Sequence, residues 1–543
     1  MMSSARARVW LLACVLGGGV LSACEDTPKG EPDAGVGGGA WDGGATPLEE
    51  YGNWLDKGPY APCSVLEVST PLRCEGLGPE SFDLSACDTE ALALVEQEGI
   101  YQAGQRYESR LQDGGTQVNF GTGIGFKLDG PGSGGTLASR PLISRRTEGG
   151  TFFISSGSTT GTAVSRVYAG CQRPTPETLT GCYVTCNNAG NVTQRGTFEA
   201  HRMVWHAGEP ESSGGMTLVS EGHVALGKPV DVYVTKNHAY VVSVSDSLTG
   251  KAGGLTVFDV TDKRAPVLKK SISLPGDHYW NGVWAHEDAL YVASDVAGIV
   301  VYDISQPAEP VFIRSLYSGE YGVHTVLVHG GRLYATANEG RTDIYDLANP
   351  LEPVPLQSIS LPDQFISGGP HDQFVYGDRL YVSNAQGGYA IVDITRLDDT
   401  KLLGQYAYRD VYSHHSAVGT FAGRTIAFEG GEFAGSHLRV LDVTDPANIV
   451  KVGEHRLRPV SSIHNLILKG TRLYVAWYQE GVRVLDVANP TQPRQVAHYN
   501  VFRESDPGRT DGVFQGAFGI RLPGDGFIYV VDSARGLLIF DEL

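Results

Sequence analysis

Beyond Cys186 the chain contains no cysteine. Its long C-terminal part therefore has neither a disulfide framework nor a thiolate metal site. Charge is sparse, with 19% of residues ionisable, and the formal net charge is −19. No basic run appears after the first few residues. Neutralising phosphates takes clustered Lys or Arg, so nucleic acid is excluded as a partner. Several catalytic signatures are absent. There is no Gly-x-Ser-x-Gly elbow and no phosphate-cradling Gly-x4-Gly-Lys motif, and His286-Glu287 lacks the second His of a zinc protease helix. Glycine-rich Gly121-Thr-Gly-Ile-Gly125 reads as turn and strand glycine. An enzyme is left open only in the form of a site built from dispersed loops.

What is present is glycine, at 70 residues, and aromatic rings, at 9%. This is a β-rich, loop-rich composition. One stretch recurs: Leu290-Tyr-Val-Ala, a short turn at Ala297-Gly298, then Ile299-Val-Val-Tyr-Asp303. It returns from Leu333 to Leu347, Leu380 to Ile394 and Leu473 to Val487. The Asp closing the second strand falls at 259, 303, 346, 393, 442, 486 and 541, spaced 44, 43, 47, 49, 44 and 55 apart. Seven units of this size, each about four short strands, predict a seven-bladed β-propeller. The repeated Asp is expected to cap the next turn through its own side chain.

The strand pair is followed by an Asp-Pro or Asn-Pro turn, as in Val440-Leu-Asp-Val-Thr-Asp-Pro446 and Val484-Leu-Asp-Val-Ala-Asn-Pro490. In this the repeats resemble LVIVD repeats of exported bacterial proteins, over about residues 227–543. The resemblance implies the propeller architecture and little about activity.

The N-terminus carries Arg6 and Arg8, then an apolar run from Val9 to Leu21. That run is too short to span a bilayer, which takes about 20 residues. It ends in Leu21-Ser-Ala-Cys24, which resembles a bacterial lipobox. The resemblance implies a signal peptide over 1–23, cleavage before Cys24 and lipidation of that residue. Residues 24–57, beginning in a stretch rich in Gly, Asp, Ala and Pro, read as a disordered tether. Lipid would be the membrane anchor, and the location the cell envelope, periplasmic or surface-exposed.

Residues 58–206 read as a small, mainly β, disulfide-rich domain. Its six cysteines are Cys63, Cys74, Cys87, Cys171, Cys182 and Cys186. Three bridges allow 15 pairings. Proximity favours Cys63 or Cys74 with Cys87, and pairs within the 171–186 cluster. Zinc at Cys182-x3-Cys186 is the rival reading. Tyr101–Lys127 and Thr151–Tyr168 alternate like strands, and Thr89–Glu98 reads as a short helix.

The seventh unit lacks an outer strand, because little chain follows Asp541. A propeller must close or leave an open edge. Met216–Val224 is strand-like, and within the 207–543 propeller it is expected to supply the closing strand.

Counting ten residues back from the Tyr of each Leu-Tyr strand reaches Asn281, His324, His371 and His464. The divergent fifth unit puts His415 there, and the first and seventh put Val230 and Gly519. Inner strands line the channel, so these His should gather at one mouth. They suit backbone hydrogen bonds between blades, a polar ligand site, or a divalent metal held by His324, His371, His415 and His464, with Asp372 or His414 nearby. Loops on the same face carry Asp277, His278, Tyr279, Trp280, Tyr321, Phe365, Tyr408, Tyr412, His414 and Phe514. Ligand candidates are thus Tyr279, Trp280, Asn281, His324, His371, His414, His415 and His464. The expected function is an envelope binding or scaffolding lipoprotein for a protein, peptide or glycan. The alternative is a metal-dependent envelope hydrolase or lyase.

Overall fold

The structure is a computed structural model that describes residues 41–67, 72–132, 134–157, 164–246, 249–362, 369–433 and 435–543. Residues 1–23, expected to be a signal peptide, Cys24 and part of the Thr160–Tyr168 strand pattern lie outside the described residues. Among those described, the regular secondary structure is almost wholly β-strand.

Eight strands between Glu98 and Arg202 run up and down in chain order and close into a barrel. The last, Val192–Arg202, pairs antiparallel with the first, Glu98–Arg110. Alternation along each strand sends one set of side chains inward. Tyr101, Phe126, Phe152, Tyr168, Tyr183 and Phe198 fill the interior, as eight strands leave just enough width for side chains. The Tyr101–Phe126 and Tyr168–Phe198 rings stack at 4.6 and 4.5 Å. The expected helix over Thr89–Glu98 is cut to Thr89–Leu92. Asp88 caps it by accepting from the Ala91 amide at 2.9 Å. Leu92 and Val95 turn into the barrel core, and the chain is already strand at Glu98, so only one turn fits.

The bridges are Cys63–Cys182, Cys74–Cys186 and Cys87–Cys171. This overturns the pairing by proximity, and the zinc reading of Cys182 and Cys186 with it. Cys182 and Cys186 lie on one strand, Thr178–Cys186. Four residues of strand separate them by roughly 13 Å, beyond disulfide reach. Instead, the segment before the barrel crosses its outer wall. Phe82 and the cysteines pack there on Phe153, Val167 and Val184, and each bridge staples that segment to the wall.

The propeller has seven four-stranded antiparallel blades. Six of the repeated Asp residues accept from the backbone amide two residues on, at 2.6–3.0 Å: Asp259, Asp303, Asp346, Asp393, Asp442 and Asp486. The outer strand of blade seven is Leu218–Gly222, paired antiparallel with Gly536–Asp541. Blade six gains a fifth, two-residue strand, Ser212–Ser213. The chain leaving the barrel thus clasps two blades in succession.

Residues 41–57, expected within a disordered tether, are ordered against blades four and five. The Leu48 amide donates to the Lys451 carbonyl at 2.8 Å. Glu50 meets Arg439 at 2.9 Å, and Asn53 donates to the Asp410 carbonyl at 2.9 Å. Local composition predicts a tether here, but the contacts that order the segment are to residues hundreds of positions away.

The barrel sits on the loops that enter inner strands. Gln102 donates to the Asp511 carbonyl at 3.0 Å, and Ser139 N to the Asp511 carboxylate at 2.9 Å. Ile100, Met203, Val460 and Phe502 form a small buried cluster across the junction.

Candidate functional site

Inner strands begin irregularly, and this places the site. In blades one, two, three, five and seven the pairing register shifts at the strand start. A bulge re-aims a side chain. In blade five the shift falls between Ser413 and His415. His414, not His415, thereby turns toward the rings of the neighbouring blades. In blade seven the shift spans Phe518, and Phe518 rather than Gly519 faces His464. His371 and His464 take the equivalent place just before their strands.

The result is a belt. Asn281 lies 3.1 Å from the His324 ring. Ring centroids then follow at 4.4 Å for His324–His371, 4.3 Å for His371–His414, 4.7 Å for His414–His464 and 5.0 Å for His464–Phe518. His324, His371 and His464 sit where the ten-residue count put them. His415 leaves the candidate metal set: it lies between blades, where its Nδ1 accepts from the Leu466 amide at 3.2 Å and its Nε2 is 3.7 Å from Asp372.

Burial, with His414 adding to it, lowers the His324 pKa to about 3. Burial pushes His371 well below its ordinary value as well, with His414 and His324 adding to it. Both rings are neutral at pH 7, the form that binds metals. Burial raises Asp372 to about 8.

One carboxylate of the site was not foreseen. Glu432 belongs to the turn after Arg424–Gly431 in blade five and is fully buried. It accepts from the Tyr478 hydroxyl, and its Oε1 is 3.8 Å from His414 Nε2. Burial pushes its carboxyl well above the usual range. His371, His414 and Glu432 bring one potential ligand atom each to within 4.8 Å of one another. The only sequence signal was the divergence of the fifth unit.

Above the belt, aromatic rings line the mouth. Tyr412 is 5.5 Å from His371 and 4.7 Å from Phe433. Phe514 is 5.5 Å from Phe433 and 5.3 Å from Tyr478. Tyr412, Phe433, Phe514 and Tyr279 are half-buried. Phe433 and Tyr478 hold positive φ angles of 68° and 29°. Bulky residues rarely do, and such strain gathers at functional sites. Other candidates fall elsewhere. Trp280 is buried in the core near Tyr302. Asp277 accepts from the Ser294 hydroxyl at 2.7 Å. Tyr408 is buried under the Arg439 guanidinium at 3.5 Å. Tyr321 and His278 are exposed, and Phe365 lies outside the described residues.

The fold and this mouth define the chain as a β-propeller whose channel is ringed by histidine on one side. It carries LVIVD repeats: that repeat is matched at residues 279–317 and 462–501, which cover blades two and six. No curated protein matches the chain. Among solved structures, the WD40 β-propeller domain of Doa1 is 12% identical, covers 61% of this chain and 98% of its own, and superposes with a TM-score of 0.44. The computationally designed Ika8 protein is also 12% identical, covering 60% of this chain and 99% of its own at a TM-score of 0.42.

Proposed function

We propose that this protein is a binding module of the cell envelope. Its propeller takes a peptide or glycan segment of an envelope partner at the channel mouth. The observation that carries this reading is the half-buried ring group Tyr412, Phe433 and Phe514 over a floor of polar imidazoles. Amphipathic concave sites of this composition suit ligands with both apolar faces and hydrogen-bonding groups. The lipobox-like Cys24 and the three bridges support an exported, lipid-anchored location.

The test is calorimetric titration of the protein against panels of envelope glycans and of peptides. One class should bind, and Tyr412→Ala or Phe514→Ala should each weaken it about two- to tenfold, the worth of one aromatic contact. A ligand whose affinity both variants leave unchanged would move the site away from the mouth. A metal-dependent hydrolase or lyase is the second reading, favoured by the His371–His414–Glu432 grouping.

A further inference from the structure

We propose that His371, His414 and Glu432 bind one divalent transition-metal ion, of zinc or ferrous type, at the channel mouth. This stands apart from the binding reading, because an ion can be held with the mouth otherwise empty.

The donor set is two imidazoles and one carboxylate, which zinc and ferrous iron both accept while keeping an open position. The geometry is near what an ion needs. A tetrahedral ion with bonds of about 2.0–2.1 Å keeps its ligand atoms roughly 3.4 Å apart. His414 Nε2 and Glu432 Oε1 are 3.8 Å apart, and all three donors fall within 4.8 Å. Small side-chain rotations close the difference.

The outer contacts are those of ligands. His414 Nδ1 faces the His464 carbonyl at 2.9 Å. A carbonyl can only accept, so Nδ1 carries the proton and Nε2 presents its lone pair toward Glu432. Metal-bound imidazoles almost always have this second hydrogen bond to a carbonyl or carboxylate. Tyr478 supplies the matching contact to Glu432. His371 Nδ1 is buried and has no hydrogen-bond partner. A buried imidazole nitrogen left so is costly, and an ion would satisfy it.

The experiment uses the purified chain, stripped with a chelator and dialysed against micromolar Zn²⁺ or, without oxygen, Fe²⁺. Metal content is measured by mass spectrometry and the melting temperature with and without ion. The wild type and His278→Ala, which removes an exposed imidazole, should each retain one ion and melt higher with it. His371→Ala and Glu432→Gln should lose it, and Tyr478→Phe should bind about 10–100-fold more weakly. Failure of the wild type to hold either ion overturns the proposal. So does retention undiminished in His371→Ala and Glu432→Gln, which would place the ion on surface groups. Should a variant fold poorly, the ion-dependent rise in wild-type melting temperature decides, and its absence counts against the site.

Discussion

Glu50 shows how much one residue can join. Its carboxylate meets Arg439 at 2.9 Å, Lys451 at 3.4 Å and the Tyr406 hydroxyl at 2.8 Å. Burial pushes its pKa up, but the Arg439 guanidinium outweighs this, helped by Tyr406 and Lys451, and the value settles at about 2. A carboxyl depressed in the folded state binds fewer protons there than in the unfolded chain. Its contribution is therefore complete above the ordinary value of 4.5 and fades as pH falls toward 2. Glu50→Gln should cost about 1.5–3 kcal/mol at neutral pH, the range for hydrogen bonds to charged groups. Denaturant titrations of both proteins across pH should show that gap closing below 4.5; a gap independent of pH would reject the ion pair as its source. No local pattern announces Glu50, because Arg439 is 389 residues away. Glu432 was illegible for a related reason. Its role depends on Tyr478 and His371 arriving from neighbouring blades.

The blade is the element that the sequence spells most plainly. The Leu-Tyr strand and the Asp-closed strand are local patterns, and the Asp turn is satisfied within two residues, so seven blades could be counted before any contact was known. The belt was legible to within one residue. The ten-residue count assumes a regular strand, and a bulge at Ser413–His415 shifts the outcome from His415 to His414. Pairing between distant strands was less visible. The disulfides follow from the barrel wall, not from spacing along the chain. The clasp strand tests the ring at this scale. Met216 and Val224 are buried in neighbouring cores, and Val219 packs on that of Val224. Burying each is worth roughly 1.5–3 kcal/mol. Deleting residues 216–224 should lower stability by at least ~3 kcal/mol and expose the Gly536–Asp541 edge. A thermal melt matching the wild type would show that the clasp is dispensable.

At the scale of the molecule, two closed β-structures share one face. The barrel rests on loops 502–512 and 458–460, beside the mouth that the aromatic rings line. The strap over 41–57 bears on the proposed anchor. A lipid on Cys24, which the lipobox resemblance implies, would lie 17 residues before Trp41, a reach of at most roughly 60 Å. Cys24→Ser should move the protein from the membrane pellet to the soluble fraction. Persistence in the pellet would mean that something other than the lipid retains it.

The clasp also imposes an order in time. All six bridged cysteines and all eight barrel strands precede residue 203, so the barrel can mature while the rest of the chain is still being made. The strand Leu218–Gly222 emerges next, yet its partner Gly536–Asp541 comes more than three hundred residues later. Until then the strand waits as an unpaired edge, the kind of surface on which chains aggregate. The ring closes only when its last blade arrives, which makes the propeller's completion an all-at-the-end event, and the early barrel the part of the molecule that is folded during the wait.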